Sequence, residues 1–427
     1  MGDRDIMTEE TTEDQPAEVP PEKPGKPEKQ EKPEEREKPV GLWVRVGRFV
    51  RPRRRWCLGT RLVVTATTGW LLFLAAHLLA SGRTSLWAPL DLMPPFMFVV
   101  VPSLVLVVAP LARPVRWRVI PVLVLALVLG AGPSGINVAT LWHTPPPAPP
   151  GSVKVVAWNT EFWDQDWRTS DGNSYSPGFY DYLREMDADV YLLAEYLYVD
   201  TSAGDMMTTK WTADMALRID KTAELRREFP GYEVATSGEL ITLSRLPVVG
   251  QRGLDMTPWL PADQKTIPEV MRDWPTSYTV ETLRTDIRVG GEIVSFYNTQ
   301  VNQPPTGWRL YDGETRDSNQ YAHARREASY RALRADIEAN DRPVVLAGDL
   351  NTTPAMGMLR LLPEKLVDHT EALPSLYPVT YTTGTLELWR IDWMFTTPDV
   401  TVHRYEMPGA DGLSDHRPQQ TVLSVGH

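Results

Sequence analysis

Residues 344–354 read VVLAGDLNTTP. The apolar run at the start of this segment predicts a short buried β-strand. Asp349 and Asn351 stand two apart where the strand ends, and alternate side chains of an extended strand share a face. By itself such a pair is as readily explained by a turn with local Asx hydrogen bonds.

Other predicted strands of the C-terminal region also end in polar side chains. Asn159 follows the first strand, Glu195 the second, Asp392 begins a later one, and Asp415 and His416 lie just before the last. Amphipathic stretches at 212–229 and 320–340 predict helices, and 278–289 with 292–301 predicts a hairpin. The pattern therefore indicates a mixed α/β domain. Its predicted strands cover residues 153–160, 190–196, 238–244, 278–289, 292–301, 343–350, 391–397 and 419–425.

The order of these polar motifs resembles that of the endonuclease/exonuclease/phosphatase superfamily, which has the deoxyribonuclease I-like fold. The resemblance covers about residues 153–424, and it is carried by GDLN at 348–351, SDH at 414–416 and ITLSRLPV at 241–248. It implies a four-layered α/β sandwich in which two mixed sheets are flanked by helices. It also implies hydrolysis of a phosphate ester.

The resemblance implies a divalent cation, Mg²⁺ with Mn²⁺ as an alternative. Hard cations of this kind prefer oxygen ligands. Glu195 and Asn159 would supply them, and Asp415 would lie near the metal or its waters.

The same resemblance assigns the catalytic roles. Asp349 would align or deprotonate the attacking water, and Asn351 would fix the phosphate and the orientation of Asp349. His416 would hydrogen-bond a non-bridging phosphate oxygen, while Asp392 would orient the imidazole and favour its charged form.

Gln300 departs from the pattern, because many family members place a second histidine in this strand. Glutamine can donate a hydrogen bond to phosphate, but it cannot deliver a proton to a leaving oxygen. The departure favours a substrate such as a pyrophosphate, whose leaving group needs less protonation.

The chain has 427 residues and a formal net charge of −11, but three regions differ sharply in composition. Residues 1–40 carry 13 acidic and 7 basic side chains, a net charge of −6. Residues 41–150 carry 11 arginines against one aspartate, a net charge of +10. The rest holds 41 acidic and 26 basic groups, a net charge of −15. Residues 1–42 are predicted to be a disordered tail rich in Pro, Glu and Lys, and a single cysteine excludes an intramolecular disulfide framework.

Residues 43–142 are predicted to form a membrane domain of three transmembrane helices at about 62–80, 93–112 and 117–136. Arginines cluster before the first helix and between the second and third, so the positive-inside rule places the N-terminus in the cytoplasm. The catalytic domain, residues 152–427, would then lie outside the plasma membrane. Residues 143–151 form a proline-rich tether, predicted to be a semi-rigid spacer of roughly 25 Å.

These features predict a membrane-anchored extracytoplasmic phosphohydrolase whose substrate is a phosphate ester or pyrophosphate near the outer membrane face, in contact with membrane lipid. Its layout is similar to that of VanJ-type proteins linked to cell-wall lipid pyrophosphates. One alternative is a surface-retained nuclease, which the acidic charge of the domain disfavours. A second alternative is a non-catalytic binding module with a degenerate site. The sequence gives no sign of an obligate protein partner.

Overall fold

A computed structural model describes residues 56–166, 174–200 and 215–426. The predicted disordered tail, the arginines before residue 56 and part of the predicted helix at 212–229 lie outside the described residues.

The apolar N-terminal region forms three long helices and one short one. In chain order these are α1 (Leu58–Ala80), α2 (Ala88–Asp91), α3 (Met97–Val108) and α4 (Arg116–Ala131). Among the described residues only α1, with 23 residues and a mean hydropathy of 1.8, is long and apolar enough to cross a membrane.

The prediction of three spanning helices is therefore corrected to one. Pro94 and Pro95 precede α3 and delay its start, and its last turn tightens into a 3-10 helix at Ala109–Leu111. Gly132 and Pro133 follow the end of α4. At about 1.5 Å per residue, α3 and α4 measure roughly 18 and 24 Å, which is less than the hydrocarbon core of about 30 Å.

The C-terminal region contains two six-stranded mixed sheets. The strands of this region are β1 (Val153–Asn159), β2 (Gln165–Asp166), β3 (Ser174–Tyr175), β4 (Val190–Ala194), β5 (Leu197–Val199), β6 (Ala216–Arg218), β7 (Glu233–Ser237), β8 (Leu240–Ser244), β9 (Val248–Asp255), β10 (Val280–Val289), β11 (Glu292–Gln300), β12 (Val344–Asp349), β13 (Val367–Asp368), β14 (Tyr381–Thr383), β15 (Leu386–Trp389), β16 (Asp392–Thr396), β17 (Val400–Glu406) and β18 (Gln419–Val425). Sheet A has the strand order β17-β18-β1-β4-β8-β7, and sheet B has the order β13-β16-β12-β11-β10-β9. Only β1 with β4 and β11 with β12 pair in parallel within these sheets, among the residues that the structure describes.

Helices cover the outer faces of both sheets. They are α5 (Phe179–Met186), α6 (Thr222–Glu228), α7 (Pro275–Thr279) and α8 (Gly313–Glu338). All eight predicted strands and the 278–301 hairpin are confirmed, and α8 confirms the predicted helix at 320–340. The helix predicted at 212–229 is wrong over residues 216–218, which pair as a strand with 197–199 and leave only a short helix behind them.

The strand alternation explains the layers. Val155 and Ala157 of β1 face the interior between the sheets, where they join Phe296 and Ala347 of sheet B in one buried cluster. The intervening residues of β1, including Trp158, face outward and pack with α5. On the far side, outward-facing residues of sheet B pack against α8. The result is helix, sheet, sheet, helix, so the expected four-layered α/β sandwich is observed.

Candidate functional site

Strand register brings the predicted site residues to one edge of the two sheets. Gln300 pairs with Asp349 across the parallel strands β11 and β12, and Asp349 pairs with Asp392 across β12 and β16. In sheet A, Asn159 pairs with Ala194, so Glu195 follows β4 directly beside it. The sheets thus present both groups of polar residues to the same cleft, where hydrogen bonds join them.

Asp349 is the centre of this site and is almost fully buried. Its Oδ1 accepts the backbone N–H of Asn351 at 2.7 Å, and its Oδ2 accepts the side-chain amide of Asn351 at 2.8 Å. The Asn159 amide donates to the same Oδ2 at 3.3 Å. Burial raises the pKa of Asp349 to about 7, although the neighbouring His416 opposes the shift. A carboxyl with that pKa is suited to accept a proton near neutral pH.

His416 and Asp392 form a buried pair. The Nδ1 of His416 lies 2.9 Å from Oδ2 of Asp392, so this nitrogen donates to the carboxylate and Nε2 points toward Asp349, 3.9 Å away. Burial alone would lower the pKa of His416, but the carboxylates of Asp392 and Asp349 raise it well above its usual value. The two carboxylates therefore favour the charged imidazole, which presents an Nε2–H donor to the cleft.

The backbone around this pair is held from neighbouring strands. The Nε1–H of Trp158 donates to the carbonyl of His416 at 2.9 Å, and the backbone N–H of Asp392 donates to the hydroxyl of Thr380 at 3.1 Å. Tyr381 lies against the imidazole with ring centroids 5.1 Å apart. These contacts fix the direction in which Nε2 points.

Glu195 accepts two amide donors on one carboxylate oxygen. Both Asn159 and Gln300 donate to its Oε1 at 2.9 Å. Burial raises the pKa of Glu195, and the hydrogen bond from Asn159 opposes the rise. The side-chain oxygen of Asn159 accepts the backbone N–H of Glu161, so its amide nitrogen is the group that faces the carboxylates.

The donor set fits a hard divalent cation. Within the described ranges, no lysine or arginine forms an ion pair with Glu195 or Asp349. Gln300 adds a buried side-chain oxygen that lacks a hydrogen-bond partner. Asp349 faces His416, but the half-buried Glu195 has no such counter-charge among the described residues, and a carboxylate withdrawn from water is stabilised by a bound cation. Glu195, Asp349 and the Gln300 oxygen therefore form an oxygen-rich site of the kind that Mg²⁺ or Mn²⁺ prefers.

A second group of possible ligands is Asp349, Asp392 and His416, whose ligand atoms lie within 4.8 Å of one another. A histidine that carries a proton on both nitrogens cannot coordinate a metal. Because Nδ1 donates to Asp392 and the pKa of His416 is raised, this cluster is better suited to proton transfer and anion binding than to coordinating a metal ion.

Asp415 lies at the rim. Its side chain is 29% exposed, and its Oδ1 is 3.9 Å from Nε2 of His416. Its backbone N–H donates to Glu161, a residue that the sequence reasoning missed. Glu161 belongs to a run of three residues, Glu161, Phe162 and Trp163, with φ between 53° and 71°. Such left-handed residues are costly outside glycine and cluster at functional sites.

Arg326 is a second residue that the sequence reasoning missed, since it lies within the predicted helix at 320–340 and belongs to no catalytic motif. Its guanidinium is buried and donates to the carbonyls of Asn302 and Asn351 and to the hydroxyl of Thr352. The helical spacing of Arg326, Tyr330 and residue 333 was the available signal, because all three lie on the face of α8 that packs on sheet B.

Three solved structures resemble the fold. An endonuclease/exonuclease/phosphatase from Bacteroides vulgatus is 17% identical, with a TM-score of 0.42 over 64% of this chain and 99% of its own. A mannosyl-6-phosphatase from Bacteroides thetaiotaomicron is 14% identical, with a TM-score of 0.42 over 64% and 100%. Sphingomyelinase C from Streptomyces griseocarneus is 18% identical, with a TM-score of 0.36 over 64% and 99%.

No curated protein matches the chain significantly. The model of the endonuclease/exonuclease/phosphatase family, in contrast, matches residues 68–416. This span includes every predicted site residue and most of the chain, so the protein belongs to the endonuclease/exonuclease/phosphatase family.

Proposed function

We propose that the protein is a membrane-anchored, metal-dependent phosphohydrolase that acts outside the cytoplasm on a phosphate ester or pyrophosphate at the membrane surface. The observation that carries this proposal is the convergence of the His416 imidazole and the buried Asp349 carboxylate, 3.9 Å apart, beside Glu195, which forms no ion pair with a lysine or arginine among the described residues. An anion donor, a water-activating base and a cation site are the three parts that phosphate-ester hydrolysis requires.

The residues divide this work. Asp349 orients the attacking water and takes its proton, and Asn351 holds the Asp349 carboxylate in place through two hydrogen bonds. His416 donates from Nε2 to a non-bridging phosphate oxygen, with Asp392 holding the imidazole in its charged form. Asn159 ties Glu195 to Asp349 and sets their separation.

Glu195 and the side-chain oxygen of Gln300 would hold the cation, with Asp349 beside them and Asp415 at the rim. A cation there would neutralise charge on the phosphate and stabilise the departing oxygen. The side-chain oxygen of Asn159, which the resemblance implied as a ligand, instead accepts the backbone N–H of Glu161.

Gln300 supports a pyrophosphate in preference to an ester with a poor leaving group. Its amide nitrogen donates to Glu195, and the amide has no acidic proton that it could transfer to a leaving oxygen. A phosphate leaving group needs less protonation than an alkoxide, so the absence of a general acid at this position matters less for pyrophosphate.

The apolar surface of the N-terminal helices supports the membrane anchor. Only 22% of the apolar window of α1 is buried, and large side chains such as Leu62, Leu72 and Leu79 are more than 60% exposed. An apolar face of this extent is a membrane or protein contact site. One crossing or three would leave the catalytic domain on the side opposite the tail, so the shorter helices do not alter the proposed orientation.

The decisive experiment is a substrate panel with the full-length chain in detergent micelles and Mg²⁺. The panel contains polyprenyl pyrophosphate, phospholipid, RNA and duplex DNA, with Asp349→Asn as the blank and the exposed Asp341→Asn as the matched control. We expect pyrophosphate hydrolysis by the wild type and by Asp341→Asn, with a loss of at least about 100-fold in Asp349→Asn. Much faster hydrolysis of DNA would favour a surface-retained nuclease, and full activity in Asp349→Asn would refute the proposed site.

Metal dependence has its own test. Glu195→Gln removes a charge from the proposed cation site, and we expect the Mg²⁺ concentration for half-maximal activity to rise by about tenfold or more. Calorimetric titration of the full-length chain with Mg²⁺ alone checks the same change without substrate. Glu292→Gln, at an exposed position, serves as the control. Unchanged Mg²⁺ affinity in Glu195→Gln would remove Glu195 from the cation site.

A further inference from the structure

We propose that the N-terminal helices are part of the active site, because they hold the segment that follows Asp349. This segment, residues 352–357, is called the Asp349 loop below. His77 and Ser81, at the end of α1, are inferred to be positioning residues for the reaction. The inference rests on the proposed role of Asp349 and Asn351.

His77 binds the loop through a defined tautomer. The indole N–H of Trp87 donates to Nδ1 of His77 at 3.1 Å, so the imidazole proton is on Nε2 when the ring is neutral. Nε2 lies 2.8 Å from the carbonyl oxygen of Ala355 and donates to it. The imidazole is almost fully buried, and the residue that it binds is six positions beyond Asp349 in the chain.

Ser81 binds the loop at its other end. The backbone N–H of Gly357 donates to the Ser81 hydroxyl at 2.7 Å, and Arg360 donates to the Ser81 carbonyl at 2.6 Å. The backbone at residues 81–82 is in direct contact with the backbone of Gly357 here. A Cβ on Gly82 would lie 2.5 Å from the backbone of Gly357, and a Cβ on Gly357 would lie 2.2 Å from the carbonyl of Ser81.

Apolar packing fills the space between these two anchors. The Ala355 methyl group is buried in one cluster with Leu74 of α1 and Phe98 of α3. Pro354 lies against Gly135, at which a Cβ would approach its ring to 3.2 Å. The Asp349 loop therefore contacts α1, α3 and the segment after α4, so its position depends on all three.

The opposite side of the loop leads directly to the catalytic residues. Thr352 donates to the Leu350 carbonyl, accepts from Arg326, and its own carbonyl accepts the indole N–H of Trp393 at 2.7 Å. The next residue toward the strand is Asn351, whose side chain holds Asp349 and which has a φ of 46°. Asn351 therefore lies between the Asp349 carboxylate and the Asp349 loop, so a shift of the loop would be passed to the side chain that holds Asp349. The N-terminal helices constrain the loop from one side, and Arg326 constrains it from the other.

The test compares three changes at the contact with a control on the same helix. His77→Leu removes the donor, whereas His77→Gln keeps an N–H close to the position of Nε2. Ser81→Ala removes the acceptor of the Gly357 N–H. The control is Leu79→Ala, because Leu79 is 68% exposed and its side chain faces away from the loop. All variants are made in the full-length chain and assayed on the substrate that the panel identifies, well below the unfolding temperature.

We expect His77→Leu and Ser81→Ala to lower kcat by about tenfold or more with KM nearly unchanged, and His77→Gln to recover most of the loss. Hydrogen exchange of peptides spanning 350–358 should accelerate in the two impaired variants, while peptides of β4 exchange as in the wild type. Leu79→Ala should match the wild type in both measurements. Wild-type kcat and exchange in His77→Leu and Ser81→Ala would overturn the inference, as would acceleration across the whole catalytic domain, which would indicate general destabilisation.

Failure of this inference is distinguishable from failure of the proposed function. If Asp349→Asn abolishes activity while His77→Leu and Ser81→Ala have no effect, the proposed function stands and the positioning role falls. If Asp349→Asn keeps full activity, the proposed function itself falls. The exchange measurement reports on the loop contact in either case.

Discussion

His416 lies between two carboxylates that have different effects on it. Asp392 accepts the Nδ1 proton and is the larger cause of the raised pKa, while Asp349 lies at the Nε2 side. Activity requires the charged imidazole in the proposed mechanism, so a raised pKa extends activity toward alkaline pH.

Asp392→Asn tests this electrostatic role. The amide oxygen of asparagine can still accept the Nδ1 proton, but it lacks the charge that raises the pKa of His416. With a lower pKa the imidazole loses its proton at lower pH, so the alkaline limb of the kcat/KM profile should move down by about one pH unit or more. Its acid limb, which reports ionisation of Asp349, should move less. An alkaline limb that stays in place would show that His416 is not the group that titrates there.

Most residues of the site could be predicted from the sequence, but the backbone conformation around them could not. Asn159, Glu195, Asp349 and Asp392 could be selected because each ends or begins an apolar strand, and strand register brings such ends together. Glu161 could not be selected, because its place in the cleft depends on a run of left-handed residues that has no glycine to signal it.

Among the secondary-structure elements, α8 contributes a buried contact to the site that we did not predict from the sequence. It is rich in charged residues, and its arginines at 325 and 326 look solvated in the sequence, yet both are buried. Arg326 donates to two carbonyls and a hydroxyl that belong to the segments following β11 and β12. One side chain of the helix thus links both strand ends of sheet B.

Arg326→Met is expected to destabilise the fold strongly. The substitution keeps an apolar stem of similar length but leaves the carbonyls of Asn302 and Asn351 without their guanidinium donor, at a cost of about 2–4 kcal/mol in the free energy of unfolding, while the Thr352 hydroxyl keeps the hydroxyl of Tyr330 as a donor. Arg331→Met on the same helix is the control. That residue is exposed and pairs with Glu327, so about 0–1 kcal/mol is expected. Thermal melts of the full-length chain in detergent measure both, and equal shifts would contradict the role of Arg326.

The strands were easier to predict than the apolar helices for a physical reason. In a strand, the alternation of apolar and polar residues shows which face is buried. A continuous apolar run, in contrast, looks the same whether it faces lipid or protein. Hydropathy therefore predicted apolar helices correctly but overestimated the lengths of α3 and α4. It also gave no sign that the segment between α1 and α3 contacts the catalytic domain.

At the scale of the whole molecule, the orientation of the chain can be measured directly. Cys57 is the only cysteine, so replacing it with alanine gives a background for single-cysteine labelling. Thr401 is exposed on β17 of the catalytic domain. In the Cys57→Ala background, Thr401→Cys should react with a membrane-impermeant maleimide in intact cells. A cysteine in the N-terminal tail, introduced as Thr12→Cys, should react only after the cells are opened. The reverse pattern would place the catalytic domain in the cytoplasm.

Asn137 ties the N-terminal helices to the sandwich by hydrogen bonds. Its side-chain amide lies 2.8 to 3.1 Å from the carbonyls of Thr370, Leu373 and Ser375 and donates to them, and its backbone N–H donates to Leu376 at 2.8 Å. The composition of the chain changes near residue 151. These hydrogen bonds and the contacts of the Asp349 loop nevertheless join residues on the two sides of that boundary. The two regions should therefore unfold as one cooperative unit, with a single calorimetric transition. Removal of the helices should expose unsatisfied carbonyls on the sandwich and leave an aggregation-prone domain. The unit on which selection for stability acts in this protein is then the helices together with the sandwich.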